Sequence, residues 1–225
     1  MYAAESDGCN AALRYGEARA EVARFMRRLY RQGLTTTSGG NLSCRTSDGR
    51  VLLTASKFDK GTLQAGQVGI LSPDGTNETP ALPPSIESSM HIGLYRALPE
   101  IGAVVHAHPP VGSAFCAAGR PIDCRLLAES YAILGEPVLA PYARMGTEEL
   151  AGNVVAAARR GTCVLMENHG VLTVGVTLLE AFDRLEVLEA AAKITLFTGL
   201  LGGGRVLSED RLSALDALMG RPPPG

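Results

Sequence analysis

The chain has 225 residues, of which 46 % are apolar and 20 % charged, enough for one full-sized α/β domain with a substantial core. A formal net charge of -2 provides no global basic field for nucleic acid, and no run of about 18 apolar residues predicts a membrane span. The N-terminus lacks a basic segment followed by an apolar one, so we expect no secretory signal. Five scattered cysteines without a CxxC pair indicate reduced thiols and a cytoplasmic protein.

The N-terminal part of the chain predicts one helix followed by short strands. Apolar residues at helical spacing favour a helix over 11–32, which Gly33 is well placed to end. A turn-rich loop, LTTTSGGNLSC, then leads into a strand. Two short strands are predicted after it, at 50–54 and 68–72, because apolar residues dominate both segments and polar loops separate them.

The central part predicts a helix followed by a strand. Ser85, which follows a proline, is the expected N-cap of a helix that extends to Leu98. The β-branched run 101–108 predicts a strand that Pro109 and Pro110 stop. The remaining predicted elements are a helix near 110–118, a strand near 121–126, an extended segment at 136–143, a helix from Thr147 to 160, two strands around a turn at Asn168–Gly170, a helix over 177–200 and a short helix over 208–220.

These elements mix helices and strands without the regular alternation of a parallel βαβ fold. We therefore predict the α/β class: a single-domain α/β/α sandwich over 1–225 with a mainly antiparallel central sheet. The chain contains neither a GxGxxG motif nor a Walker-type loop, which argues against nucleotide binding.

Three of the four histidines predict a metal site. His106 and His108 are alternate residues of one strand, so both imidazoles point to the same face and can reach one ion. His169 lies at a turn between two apolar runs, and three neutral imidazoles suit zinc with a position left for substrate. An HxH pair alone also occurs by chance in strands. The fourth, His91, is expected to be an ordinary helix-face residue.

Glu87 is predicted in the first turn of the central helix. A carboxylate there is favoured by the helix dipole, which alone would explain it. Near a metal ion, the same carboxylate could take and return a proton.

Several segments in this order resemble the class II aldolase/adducin family, and most closely its L-fuculose-1-phosphate aldolase branch. The resemblance covers roughly residues 15–200 and leaves 201–225 as a C-terminal helix and tail. The segments that carry it are GGNLS (39–43), LLTASKFDKG (52–61), PSIESSMHIGLYRALPEIGAVVHAHPP (84–110), APYARMGTEEL (140–150) and ENHGVLTVG (167–175).

The resemblance implies a role for each matching residue. His106, His108 and His169 would bind Zn²⁺, with Mn²⁺ or Co²⁺ as alternatives, and Glu87 would be the acid/base beside the metal. The residues that would contact the substrate phosphate are Gly40, Asn41, Thr54, Ser56 and Ser85. The resemblance also implies a homotetramer with active sites at subunit interfaces.

The implied reaction is cleavage of a ketose 1-phosphate, such as L-fuculose 1-phosphate or a 5-deoxy or methylthio analogue. The products would be dihydroxyacetone phosphate and an aldehyde, without a Schiff-base lysine. Dehydratase, epimerase or decarboxylase chemistry on a related sugar phosphate is an alternative on the same metal platform. A non-catalytic, adducin-like scaffold is a third alternative, against which the three histidines and Glu87 argue.

The chain departs from the family pattern at three positions. Leu127 stands where the fuculose-phosphate aldolases have a tyrosine acid, so Glu129 and Tyr131 are equal candidates for the second proton donor, unless both only line a subunit contact. Ile86 replaces one of two serines. Lys57 replaces the glycine of a phosphate-binding turn, where it could add a positive charge or be a surface residue.

Overall fold

A seven-stranded sheet forms the centre of the computed structural model, which describes residues 15–221. The strands are β1 (Asn41–Arg45), β2 (Val51–Thr54), β3 (Val68–Leu71), β4 (Ala103–Ala107), β5 (Val138–Ala140), β6 (Cys163–Met166) and β7 (Gly170–Gly175). Their order across the sheet is β3-β2-β1-β4-β7-β6-β5. Every neighbouring pair is antiparallel except β5 with β6, which confirms the mainly antiparallel sheet.

Within residues 15–221 the sheet is accompanied by seven α-helices. They are α1 (Gly16–Arg31), α2 (Ser88–Ala97), α3 (Pro110–Ala118), α4 (Ala128–Leu134), α5 (Glu148–Ala158), α6 (Leu178–Leu200) and α7 (Glu209–Leu218). Two single-turn 3-10 helices lie at Ala65–Gln67 and Cys124–Leu126. The start of the predicted helix over 11–32, and Cys9, lie outside the described residues. No described helix is both long and apolar enough to cross a bilayer.

Apolar side chains form a core on each face of the sheet, as the predicted α/β sandwich requires. Helices α1 and α6 pack on one face, and α2 and α5 pack on the other. Strand β4 divides its side chains accordingly, because alternate residues point to opposite faces. Ala103 and Val105 belong to the α1–α6 core, whereas Val104 belongs to the α2–α5 core. His106, two residues after Val104, therefore points to the α2 face.

The predicted strand over 121–126 is wrong. Cys124–Leu126 is a 3-10 helix, and Asp123 initiates it by accepting a hydrogen bond from the backbone N–H of Arg125. The hydroxyl of Ser130 donates to the carbonyl of Cys124 and holds this turn against α4. Local side-chain hydrogen bonds of this kind compete with strand pairing.

The central helix begins two residues later than predicted, because its N-cap is Glu87 and not Ser85. Ser85 caps a turn, not the helix: its hydroxyl accepts the backbone N–H of Glu87, and its carbonyl accepts that of Ser88. Glu87 occupies the N-cap position of α2 without capping it through its side chain. The carboxylate is consequently available to the site described below.

A buried carboxylate anchors α3, the helix that follows the HxH strand. Glu189 of α6 is 2 % exposed, and its two oxygens accept the backbone N–H groups of Val111 and Gly112 at 3.3 and 2.8 Å. These groups lie in the first turn of α3, where backbone donors have no partner within the helix. This contact fixes the position of the chain immediately after His108.

We expect Glu189→Leu to lower the free energy of unfolding by about 1–3 kcal/mol, because the buried N–H of Gly112 and the part-buried N–H of Val111 lose their acceptor. Glu189→Gln should cost less, since its amide oxygen still accepts one of them. Urea unfolding of both variants measures the difference. Equal losses would show that packing, not the paired hydrogen bonds, explains the contribution of Glu189.

Candidate metal centre

Three imidazoles converge at the end of β4, where the strand meets the turn before β7. His106 and His108 leave β4 on one face, and the turn between β6 and β7 brings His169 alongside. One nitrogen from each ring lies within 4.8 Å of the other two. The ring centroids are 4.8 to 5.5 Å apart. The structure thus brings together the three predicted metal ligands.

Hydrogen bonding determines which nitrogen of His106 faces the centre of this cluster. Its Nδ1 lies 2.9 Å from the carbonyl oxygen of Val171, which can only accept, so Nδ1 carries the proton. Nε2 then has a free lone pair. The Nε2 atoms of His106 and His108 are buried without a hydrogen-bond partner among residues 15–221. Free lone pairs on buried imidazoles are what a divalent metal ion requires.

The carboxylate of Glu87 faces these nitrogen atoms. Its Oε2 lies 3.4 Å from His106 Nε2, and its Oε1 lies 3.1 Å from His169 Nε2. Burial by itself raises the pKa of Glu87, but His106, followed by His169 and Asn41, outweighs it and holds this pKa below the usual range. Burial lowers the pKa of His106 and lowers that of His108 to about 4. Burial thus opposes a positive charge on His106 and His108, and a bound cation would supply one beside the Glu87 carboxylate.

Glycines let two loops approach the histidines closely. Gly40 has φ +67°, and a Cβ there would lie 2.7 Å from the carbonyl oxygen of His106. A Cβ on Gly170 would lie 2.5 Å from the ring of His108. Both contacts are too short for any other residue, so the sequence permits the loop before β1 and the turn before β7 to close around the cluster.

A cavity of about 310 Å³ opens beside Glu87, His108 and His169. Five of the predicted substrate-contacting residues line it: Gly40, Asn41, Ser56, Lys57 and Ser85. Lys57 is exposed and has φ 65°, a left-handed conformation that favours glycine. The chain thus keeps a glycine-type turn at the position where the family has glycine.

Thr54 does not line this cavity. It is fully buried in β2, and its hydroxyl accepts the backbone N–H of Leu42 in β1. Thr54 therefore stabilises the pairing of β1 with β2, next to the loop that contains Gly40.

The two candidates for a second proton donor lie on α4 and line neither cavity beside the histidines. Glu129 is exposed. The hydroxyl of Tyr131 donates to Asp216 at 3.0 Å, and burial together with this hydrogen bond raises the pKa of Tyr131. Within one chain, the structure does not bring either residue together with Glu87.

Lys60 was not predicted as a site residue, yet it lines the same cavity and is 3 % exposed. Its ammonium donates to the carbonyl of Ala55 at 2.9 Å, and burial lowers the pKa of Lys60 to about 8. A lysine in a polar turn is usually exposed. The only signal in the sequence for a site role of Lys60 is its position three residues after Lys57 in LLTASKFDKG.

His91 is not the ordinary helix-face residue expected from its place in α2. The ring is fully buried, with Nδ1 2.6 Å from Ser43 Oγ and Nε2 2.5 Å from Asn41 Oδ1. Burial, and to a lesser extent His106, lowers the pKa of His91 to about 3.

This shift predicts how stability depends on pH. Below about pH 6.5 the unfolded imidazole of His91 takes up a proton, whereas the folded one stays neutral down to about pH 3. The free energy of unfolding should therefore decrease as the pH is lowered through this window. His91 should contribute up to about 1.4 kcal/mol to this decrease per pH unit. In urea unfolding of the metal-free proteins from pH 7 to 4, His91→Gln should show a shallower dependence. Parallel curves would contradict the buried neutral state.

Comparisons with known proteins agree with this geometry. A 3-oxo-tetronate 4-phosphate decarboxylase of Haemophilus influenzae is 32 % identical over 173 residues, which cover 75 % of this chain and 81 % of that protein. A 5-deoxy-D-ribulose 1-phosphate aldolase of Bacillus thuringiensis serovar kurstaki is 31 % identical over 201 residues, 88 % of this chain and 92 % of that protein. A solved L-fuculose 1-phosphate aldolase superposes with a TM-score of 0.83 at 26 % identity and covers 91 % of this chain and 96 % of that one.

The match at the level of the family spans most of the chain. Residues 20–196 fit the sequence model described as Class II Aldolase and Adducin N-terminal domain. The matched range contains the HxH strand, the turn of His169 and the whole of the cavity beside them. The chain belongs to the class II aldolase and adducin family.

Proposed function

We propose that this protein is a divalent-metal-dependent lyase that cleaves a ketose 1-phosphate into dihydroxyacetone phosphate and an aldehyde. The observation that carries the proposal is the meeting of three imidazole nitrogens and the Glu87 carboxylate at the wall of a cavity that also contains two lysines. His106, His108 and His169 would hold the metal, with zinc as the first candidate and manganese or cobalt as alternatives. The unpartnered ring nitrogens of His106 and His108 and the polar cavity argue against a non-catalytic scaffold.

Glu87 is placed to move the proton that this reaction requires. One of its oxygens, Oε2, accepts a hydrogen bond from Asn41 Nδ2 at 2.7 Å, which fixes the carboxylate. The other, Oε1, lies 3.1 Å from His169 Nε2, on the side where the predicted metal ligands converge. Cleavage of the C–C bond releases the proton of the substrate hydroxyl that becomes the aldehyde and leaves an electron pair on the carbon beside the carbonyl. The Glu87 carboxylate, once it has taken up a proton, would return it to that carbon. A bound divalent cation supplies Lewis-acid stabilisation of the negative charge that develops on the substrate oxygens.

The end of the cavity lined by Lys57, Lys60 and Ser56 suits a phosphate group. The two lysines provide positive charge and the hydroxyl of Ser56 provides a hydrogen bond, whereas Ser85 lies next to Glu87, whose backbone N–H its hydroxyl accepts. Nothing about a neutral sugar would require two lysines here. This end of the cavity therefore favours a phosphorylated substrate.

The second proton donor would come from another subunit. Since Glu129 and Tyr131 lie away from Glu87 within one chain, either could act only across an interface. This is the arrangement that a homotetramer with active sites between subunits would provide. The test mixes a variant that lacks Glu87 with a variant that lacks both Glu129 and Tyr131. Sedimentation would show whether hybrid oligomers form, and recovery of activity in the hybrid would show that the two residues act from different subunits.

A decarboxylase is the second candidate, and Arg144 favours it. A further cavity of about 310 Å³ is also lined by His108 and His169, and Arg144 contributes to its wall. A 3-oxo acid phosphate has two anionic ends, and the two lysines and Arg144 would face one each. A ketose 1-phosphate has only one.

The deciding experiment supplies the purified protein with zinc, manganese or cobalt and a panel of phosphorylated ketoses and 3-oxo acid phosphates. Release of dihydroxyacetone phosphate supports the aldolase, and release of carbon dioxide supports the decarboxylase. Loss of water without carbon–carbon cleavage would support dehydration instead. Failure to bind stoichiometric metal would overturn all the enzymatic readings and favour a scaffold.

We expect Glu87→Gln to retain one metal ion per chain and to lose at least about a hundredfold in kcat, the usual scale for an acid–base group. The amide cannot transfer the proton but fills the same space. Metal content by elemental analysis and kcat with the accepted substrate give the result. Turnover close to that of the wild type would exclude Glu87 as the acid/base.

Lys60→Met should raise KM for the phosphorylated substrate by about tenfold or more, because it removes a charged donor from the phosphate end of the cavity. The matched control is Lys57→Met, whose more exposed ammonium should contribute less to binding. KM for an unphosphorylated analogue should not change in either variant. A uniform loss for both kinds of substrate would place Lys60 in the support of the turn, not in phosphate binding.

A further inference from the structure

A continuous hydrogen-bonded chain runs from the α2 face of the sheet to Glu87. Tyr95 OH lies 2.8 Å from Ser43 Oγ, and Ser43 Oγ lies 2.6 Å from His91 Nδ1. His91 Nε2 lies 2.5 Å from Asn41 Oδ1, and Asn41 Nδ2 lies 2.7 Å from Glu87 Oε2. All five residues are less than 9 % exposed, so water does not compete for these contacts.

The carboxylate end determines the direction of every bond. An ionised carboxylate can only accept, so the Asn41 atom beside it must be the amide nitrogen. The amide oxygen of Asn41 then faces His91, whose Nε2 must carry the proton, and Nδ1 must accept from the hydroxyl of Ser43. Tyr95 donates to Ser43 in turn, and burial, which raises the pKa of Tyr95, keeps its proton in place.

The opposite arrangement is also a complete hydrogen-bonded chain. If His91 carried its proton on Nδ1, it would donate to Ser43, and its bare Nε2 would accept from a flipped Asn41 amide. The amide oxygen of Asn41 would then face the carboxylate of Glu87, and two acceptors would repel each other.

We propose that His91 is a positioning residue that holds the Asn41 amide in the orientation that directs an N–H donor at Glu87. The inference rests on the proposed role of Glu87 as the acid/base. His91 does not touch the substrate cavity and acts only through Asn41. The next residues along the hydrogen-bonded chain, Ser43 and Tyr95, favour the His91 tautomer with a protonated Nε2, which donates to the Asn41 amide oxygen. A hydrogen bond to a carboxylate from a fixed amide positions the oxygen that remains free for proton transfer.

The kinetic test compares His91→Gln with His91→Leu. Glutamine places an N–H donor close to the position of Nε2, whereas leucine has similar bulk and no donor. We expect His91→Leu to lower kcat by about tenfold or more with little change in KM, and His91→Gln to recover most of that loss. Tyr95→Phe, at the far end of the chain, should have a smaller effect because Ser43 can still donate to His91. Equal losses in both His91 variants would overturn the proposal.

A second measurement needs no turnover and no variant. In protein labelled with ¹⁵N in the histidine rings, long-range ¹H–¹⁵N correlations distinguish the two neutral tautomers. We expect His91 to have a protonated Nε2 and a bare Nδ1, with slow exchange of the Nε2 proton. The opposite tautomer would overturn the proposal even if all variants were inactive. The expected tautomer in a protein without lyase activity would instead show that the proposed function, and not the hydrogen-bonded chain, is wrong.

Discussion

The site depends on one electrostatic constraint: the bare Nε2 of buried His106 faces the buried carboxylate of Glu87 at 3.4 Å, and Nε2 of His169 lies 3.1 Å from the same carboxylate. The carbonyl of Val171 commits one nitrogen of His106 as a donor and leaves the other bare. Burial disfavours protonation of His106 and His108, so the histidines do not supply the missing positive charge. An arrangement of acceptors around a common point is costly in a protein interior unless a cation joins it. The chemistry proposed for the chain follows from this need.

The antiparallel sheet supplies the geometry that this constraint requires. In the pairing of β1 with β4, Asn41 lies directly opposite His106, and Ser43 lies opposite Val104. Alternate residues share a face, so Asn41, Ser43 and His106 all point toward α2. Helix α2 in turn carries His91 and Tyr95 one turn apart on the side that meets them. Two strands and one helix thus align a metal ligand, an amide and a hydrogen-bonded chain without any loop in between.

The sequence predicted the convergence of the histidines because strand alternation is a local rule, and the β-branched run before His106 made the strand plain. The sequence did not predict the role of His91, since the partners of this ring lie 48 and 50 residues away, on strand β1. The wrong strand over 121–126 has a local cause in the side chain of Asp123. Lys60 was missed because burial of a lysine in a polar turn depends on what the rest of the fold places above it. Short-range sequence patterns were sufficient to predict contacts that follow from the regular geometry of a strand. They were insufficient where side chains from distant segments meet.

Metal centre and substrate pocket are built from different kinds of structure, which explains how one fold serves several reactions. Strand pairing holds His106 and Asn41, and a helix terminus and a buried hydrogen bond hold Glu87, so changes elsewhere disturb them little. The groups that would meet the rest of the substrate lie on turns: Lys57 and Lys60 line one cavity, and Arg144 lines the other. Relatives of similar identity are named as a decarboxylase and as an aldolase. Because both kinds of reaction develop negative charge beside a carbonyl, the same metal centre can serve either. The choice between them then lies in which bond the turns align for cleavage, and in whether a second anionic end of the substrate finds a cation.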